Sequence, residues 1–214
     1  MKFAIFDVDL TLTCKDTFIE FYKFLCKEDK RFYLYFNKVL KSGLMYLFGF
    51  YDEKKSKEQY LSFLKGVSVE TVDKLSQKFF DTYITKKLLY KDALIEMERR
   101  KEEGYKVILI SASPEFYLNK FNQLCSVNYV LGTRYEVCDG FYTGKMIGYN
   151  NKGKEKVLRF EEFLRSNNIE NFDHKNSCMY SDSLNDLPLL ELVGNGFLIN
   201  SKKKIPNIIN LNWK

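Results

Sequence analysis

The sequence predicts an α/β fold: a parallel sheet with helices on both faces, interrupted by an all-helical insert. Three observations carry this. Short apolar runs such as 2–6 and 106–110 stop at acidic or hydroxyl residues, as buried strands do where they deliver side chains to their carboxyl ends. From about residue 15 to 90 the apolar residues instead recur at helical spacing, with Phe18, Phe21, Tyr22 and Leu25 in one segment and Val72, Leu75 and Phe79 in another. Beyond that point strand-like and helix-like segments alternate, which implies crossover helices and a parallel sheet.

The first strand, 2–6, ends at Asp7 and Asp9. Within the insert, a helix over 54–65 is closed by Gly66, and Ser68 before Val69 and Glu70 is placed to cap the next one. A helix over 92–103 is stopped by Gly104 and followed by the strand 106–110. Ser113, Pro114 and Glu115 read as N-cap, first-turn proline and acidic first turn of a helix reaching about Cys125. A strand at 127–131 precedes a hairpin over 133–148 that turns at Asp139 and Gly140. A helix at 154–166, a strand at 177–180, a helix at 187–192 and a strand at 197–199 complete the series. No repeat or low-complexity segment interrupts it.

Composition sets limits on the chemistry. The 214 residues carry 34 Lys+Arg against 28 Asp+Glu, a formal +6, with 45 % hydrophobic and 29 % charged residues, an ordinary globular balance. A chain of this size buries roughly 70–75 % of its unfolded surface. The single histidine, His174, is expected at the surface, so hydrolysis would have to rest on carboxylates, lysine, serine, cysteine or an oxygen-bound metal. Five scattered cysteines without a CxxC pair argue against a disulfide framework or structural zinc and fit a reducing, cytoplasmic compartment. The N-terminus meets Asp7 before a signal-peptide apolar region can form, and the uncharged stretch 43–51 is too short to span a bilayer. Most lysines are interleaved with acids and read as solvated helix faces, which disfavours a nucleic-acid partner.

Four features fall where a parallel sheet places ligands, at the carboxyl ends of its strands. Asp7 and Asp9, one residue apart beyond a buried strand, repel unless a cation intervenes, and paired oxygens suit a hard divalent one; an acidic turn is the plainer alternative. Ser111, Ala112 and Ser113 follow a strand and lead into a helix, a hydroxyl beside free backbone N–H groups that can cradle an anion or simply cap the helix. Lys152, Lys154 and Lys156 cluster at a helix start, either solvated or turned to an anion. Asp182 ends a strand and Asp186 precedes the proline-opened helix at Pro188, which returns both carboxylates to the same sheet edge.

In this order the segments FDVDLTLT, ILISAS, GTRYEVCDGFYTGKMIGY, GKEKV and YSDSLNDLPLLELV resemble the haloacid dehalogenase superfamily of phosphatases, in its phosphoserine-phosphatase-like branch with a helical cap between the first two motifs. The resemblance covers most of the chain. It implies a Rossmann-like parallel-sheet core formed by residues 1–14 and 90–214, with an all-helical cap over 15–89. It also implies Mg2+-dependent hydrolysis of a phosphate monoester through an aspartyl-phosphate intermediate. Asp7 would be the nucleophile and Asp9 the general acid and then base. Magnesium would be held by Asp7, the backbone carbonyl of Asp9 and Asp182, with Asp186 binding through water or orienting the lysine. Ser111 with its neighbour Ala112, and Lys156, would hold phosphate oxygens; Lys156 fits the family's GxxKV pattern better than Lys152 or Lys154. Thr11 and Asn185 would support loop geometry or the phosphate.

Two positions depart from the family pattern. Leu10 stands where many members carry glycine, a swap expected to leave catalysis undisturbed. Asp16 matches only approximately the acid that serine-specific members present to the substrate amine, and nothing ties Arg31 to a substrate carboxylate. The aromatic stretch 31–51 reads first as the core of a helical bundle and alternatively as an apolar or membrane-surface face admitting a lipid or aromatic phosphate. The leading expectation is a phosphatase acting on a small phosphorylated metabolite. A phosphotransferase or mutase using the same intermediate, and a lipid-phosphate phosphatase at a membrane surface, are the alternatives. A catalytically silent binding module would be expected to have lost one of Asp7, Asp9, Lys156 or Asp182, and all four are present.

Overall fold

In the computed structural model, which describes residues Met1–Lys214, β1 (Phe3–Phe6) is buried along its whole length. Ala4 and Phe6 point into one apolar cluster and Phe3 and Ile5 into another on the opposite face. That two-residue alternation between two cores is why the strand reads as a continuous apolar run. After it come four helices, α1 (Thr17–Glu28), α2 (Phe36–Leu47), α3 (Glu53–Tyr60) and α4 (Val69–Phe79), with a 3-10 turn at Lys30–Tyr35 and another at Leu61–Leu64. The last helix continues into a π-helical stretch, Phe80–Leu88. The chain then runs through α5 (Lys91–Glu102), β2 (Lys106–Pro114), α6 (Glu115–Leu118), β3 (Tyr129–Thr133), β4 (Tyr135–Cys138) and β5 (Phe141–Met146). It ends with α7 (Lys154–Ser166), β6 (Cys178–Ser181), α8 (Leu187–Leu190), β7 (Asn195–Ile199) and β8 (Ile208–Leu211).

Six strands form one sheet in the order β3-β2-β1-β6-β7-β8, and every pairing is parallel. The α/β parallel fold expected from the sequence is therefore the fold observed. Because all strands run the same way, the ends of β1, β2 and β6 emerge at one edge, which brings Asp7, Ser111 and Asp182 together.

The helical caps follow the sequence. Asp16 accepts from the Ile19 N–H at 3.0 Å and Ser68 from the Thr71 N–H at 3.2 Å, each satisfying an N–H that the first helical turn leaves free. The hairpin turns at Asp139 and Gly140, both at positive φ (49° and 81°), as a two-residue turn requires. It does not join the large sheet. Instead the Gly66 N–H donates to the Tyr142 carbonyl at 2.8 Å, the Tyr142 N–H to the Val67 carbonyl at 3.0 Å, and the Val69 N–H to the Gly140 carbonyl at 2.9 Å.

Several boundaries differ from expectation. The strand expected to stop at 110 runs on to Pro114, where Pro114 pairs with Thr133. α6 starts at Glu115 with Pro114 in the cap position, so Ser113 stands one residue too early to cap it, and its hydroxyl donates to Asp9 instead. The helix expected to reach Cys125 is a single turn, Glu115–Leu118, followed by a 3-10 segment. β3 lies two residues later than expected, α8 is shorter, and β8, a four-residue edge strand with little burial, lies outside the expected series. The stretch 31–51 is not a bundle core: α2 buries only Val39 and Ser42. His174 is exposed, all five cysteines are free thiols, and no helix is long and apolar enough to cross a membrane.

Candidate active site

The turn after β1 is built on one carbonyl. That of Val8 accepts the N–H groups of Thr11, Leu12 and Thr13 at 2.9–3.3 Å and the Thr13 hydroxyl at 3.0 Å. Coiling so tightly forces Leu10 to a φ of +61°, a left-handed conformation that glycine adopts freely and leucine only against its Cβ. The coil aims both Asp7 and Asp9 at the same sheet edge.

There Lys156, from the first turn of α7, reaches Asp7 Oδ1 and Asp186 Oδ2, each at 2.6 Å. Its side chain is 2 % exposed. Burial opposes its charge, but Asp186 and Asp7 outweigh burial and hold its pKa above the ordinary lysine value. Neither neighbouring lysine does this: Lys152 pairs with Glu53 at 3.1 Å and Lys154 is exposed. Burial pushes the Asp7 carboxyl above its usual range against the pull of Lys156, and Asp186 and Asp9 push the same way. Asp182 is raised to about 6 by burial and by Asp186. Asp186 Oδ1 is buried without a hydrogen-bond partner. Three carboxylates that burial and mutual repulsion make costly, around a single lysine, form a site short of positive charge. The donors are all hard oxygens, as a divalent cation such as Mg2+ prefers. No three acidic, histidine or cysteine side chains form a closed metal cluster by themselves, so the backbone carbonyl of Asp9 and waters would have to complete the shell.

Asp9 is held by a different set of partners. Its Oδ1 accepts from the Thr17 N–H and hydroxyl, both at 2.6 Å, and its Oδ2 from Ser113 Oγ at 2.6 Å and Ser111 Oγ at 3.4 Å. Ser113 in turn accepts from the Tyr117 hydroxyl at 2.8 Å, and burial holds that phenol well above its usual pKa, so it stays a donor. Ser111 and Thr11 lie fully buried beneath the site. Thr11 Oγ1 accepts from the Asp182 N–H at 2.8 Å and bridges towards Asp7 and Asp182, a positioning contact. Asn185 is at the surface with its side chain on Ser183 Oγ, and Ala112 presents its carbonyl.

These groups open on a cavity of about 380 Å³ whose walls include Asp7, Asp9, Lys156, Asp182, Asn185 and Asp186 but neither Ser111 nor Thr11. Its far wall comes from the helices: Asp16, Phe18, Glu53 and Lys57. Lys57, which sequence reasoning passed over, donates to the Ala112 carbonyl and to Asn150 Oδ1, both at 2.7 Å. Burial pushes its ammonium down to about 8, against the pull of Glu53, Asp9 and Asp16. Asn151, also missed, donates to the Ser111 and Leu131 carbonyls at 3.1 and 3.0 Å and fixes the end of β2.

The chain is similar to known proteins over most of its length. The chain is 28 % identical over 217 residues to a phosphoserine phosphatase, SerB1, of Mycobacterium tuberculosis, covering 96 % of this chain and 67 % of the relative. It is 25 % identical over 209 residues to a histidinol-phosphatase of Neisseria meningitidis, covering 92 % and 89 %. A crystal structure of a Bordetella pertussis protein of unknown function shares the fold, with a TM-score of 0.82 at 24 % identity, covering 94 % of this chain and 91 % of that one. The pattern of haloacid dehalogenase-like hydrolases matches residues 4–191, which takes in every strand of the sheet except the last two together with all the carboxylates of the cavity. By that match the chain belongs to the haloacid dehalogenase-like hydrolase family.

Proposed function

We propose that the protein is a Mg2+-dependent phosphatase that hydrolyses a small, polar phosphate monoester through an aspartyl-phosphate on Asp7. The observation that carries this reading is the pairing of Asp7: one oxygen is held by Lys156 at 2.6 Å while the carboxylate borders an open cavity. A side chain so held presents its second oxygen, Oδ2, to phosphorus in a fixed direction. Attack by Oδ2 forms the Asp7–phosphorus bond as the ester P–O bond breaks, and Asp9 gives a proton to the leaving oxygen. Asp9 then takes a proton from water, whose oxygen displaces Asp7 and releases inorganic phosphate. Lys156 neutralises Asp7 so that an anion can approach. Asp7, the carbonyl of Asp9 and Asp182 would hold the metal, with Asp186 beside them; the ion would supply positive charge to the phosphoryl oxygens.

In the same reading residues 15–89 are a cap over a catalytic core formed by 1–14 and 90–214, Asn185 serves the phosphate end, Ser111 acts from beneath the cavity through its hydroxyl on Asp9, and the enzyme is cytoplasmic, in keeping with its five free cysteines. Among the wall residues only Leu10, Phe18 and Ala112 are apolar, and the helical side offers Asp16, Glu53 and Lys57. That lining favours a leaving group bearing both amine and acid over a lipid. Two relatives are named phosphoserine phosphatase and histidinol-phosphatase, and both names give the leaving group an amine.

A panel of phosphoserine, histidinol phosphate and an aryl phosphate, assayed with and without magnesium, tests the reading. Asp7→Asn is expected to lose at least about 10³-fold in kcat with an unchanged fold. Turnover retained in that variant, or unaffected by chelation in the parent, would overturn it.

A further inference from the structure

A second hollow, of about 500 Å³, opens on the outer side of the helical segment between α1 and α2. Phe36, Leu40, Leu44 and Leu47 line it from one side, with Ile19 and Tyr22 opposite. The four α2 residues recur every three or four positions, the stripe by which a helix ordinarily docks on a core. Here it docks on nothing: Phe36 and Leu40 are each 50 % exposed, and Leu47, Phe48 and Phe50 stand 70–78 % exposed at the end of the helix. This hollow is separate from the catalytic cavity. Phe18, in the catalytic wall, stacks at 4.2 Å on Tyr60, in the wall of the hollow, and the pair divides the two.

The segment that carries α2 is one-sided in charge. Between Asp29 and Asp52 there is no acidic residue, while Lys30, Arg31, Lys38 and Lys41 all fall in that interval. Of these four cations only Arg31 meets a carboxylate, Asp29 at 2.6 Å. At the rim of the hollow stand Lys27 and Lys23, the latter paired with Glu20 at 2.7 Å. Two copies of such a face would bring like charges together, which opposes self-association. An anionic bilayer satisfies both features at once: its headgroups neutralise the lysines, and Leu47, Phe48 and Phe50 enter the boundary between headgroups and acyl chains.

We infer that the α2 face is a peripheral docking surface for an anionic membrane. Flotation with vesicles of phosphatidylcholine alone and of equal parts phosphatidylcholine and phosphatidylglycerol tests this, at low and high salt. The protein is expected to float with the anionic vesicles only, and less at high salt. The double variants Leu47→Glu with Phe48→Glu, and Lys38→Glu with Lys41→Glu, are expected to lower partitioning by about ten-fold or more. All four side chains are exposed, so melting temperatures should stay near the parent's. The inference fails if the parent remains with the buffer, or if the charge variant binds as the parent does. It fails equally if sedimentation velocity finds a dimer that the Leu47 and Phe48 variant dissolves, because a second copy would then cover the face. Each result is read independently of any phosphatase assay.

Discussion

Lys57 joins the helical wall of the cavity to Ala112 and Asn150 on the opposite side, and burial leaves its ammonium at about 8 instead of the usual 10.5. The folded chain therefore binds fewer protons than the unfolded one between those two values, and stability rises with pH across that window. Below about pH 8 the ammonium is charged and attracts an anionic substrate. Lys57→Met is expected to flatten the rise in stability and to raise KM about five- to ten-fold below that pH, with kcat little changed. Thermal melts and a pH profile of KM for parent and variant check both. Asp7, Asp182 and Asp186 were legible in the sequence because each directly follows a strand or opens a helix. Lys57, Thr17, Tyr117 and the bond from Ser113 to Asp9 were not. Their partners lie about a hundred positions away, 93 residues for Lys57 to Asn150, 104 for Ser113 to Asp9 and 100 for Thr17 to Tyr117, and no local pattern encodes such pairings.

Among the elements, the coil after β1 shows where local sequence and local geometry conflict. Leu10 is 44 % exposed and contributes little packing, yet it sits at a φ of +61°. The left-handed region costs a non-glycine residue roughly 1–2 kcal/mol, while glycine costs roughly 0.5–1 kcal/mol in unfolded-chain entropy. Leu10→Gly is thus expected to raise stability by about 0.5–1 kcal/mol, measurable as a higher urea midpoint with unchanged slope. The capped helices and the hairpin turn were readable because one residue, Ser68 or the Asp139–Gly140 pair, makes the decisive contact within its own segment. The end of β2 was not. There the serine–proline–acid sequence opens a helix one residue later than expected and for a single turn, because Ser113 and Pro114 are drawn into the strand by the pairing of Pro114 with Thr133 on β3. Nor was the exposure of α2, since an apolar stripe looks the same in sequence whether or not another element covers it.

At the scale of the whole molecule, one sheet edge collects Asp7, Asp182 and Asp186 around a single ammonium. Burial without enough positive charge weakens the fold, and a divalent cation bound only by the folded chain would offset that cost. Magnesium at about a hundred times its dissociation constant is expected to stabilise the protein by about 3 kcal/mol, seen as a rise in melting temperature that EDTA reverses and that Asp182→Asn diminishes. The three backbone hydrogen bonds linking residues 66–69 to the hairpin have a mechanical consequence as well. If the helices swing away from the cavity to admit substrate, β4 and β5 must travel with them or those bonds must break. The moving body then includes residues from 135 to 146, far along the chain from the helical segment, and its hinges lie at the peptides flanking the hairpin as well as at those flanking the helices. Amide hydrogen exchange is expected to open the N–H groups of Gly66, Val69 and Tyr142 in one cooperative step, later than the amides of the hinge peptides.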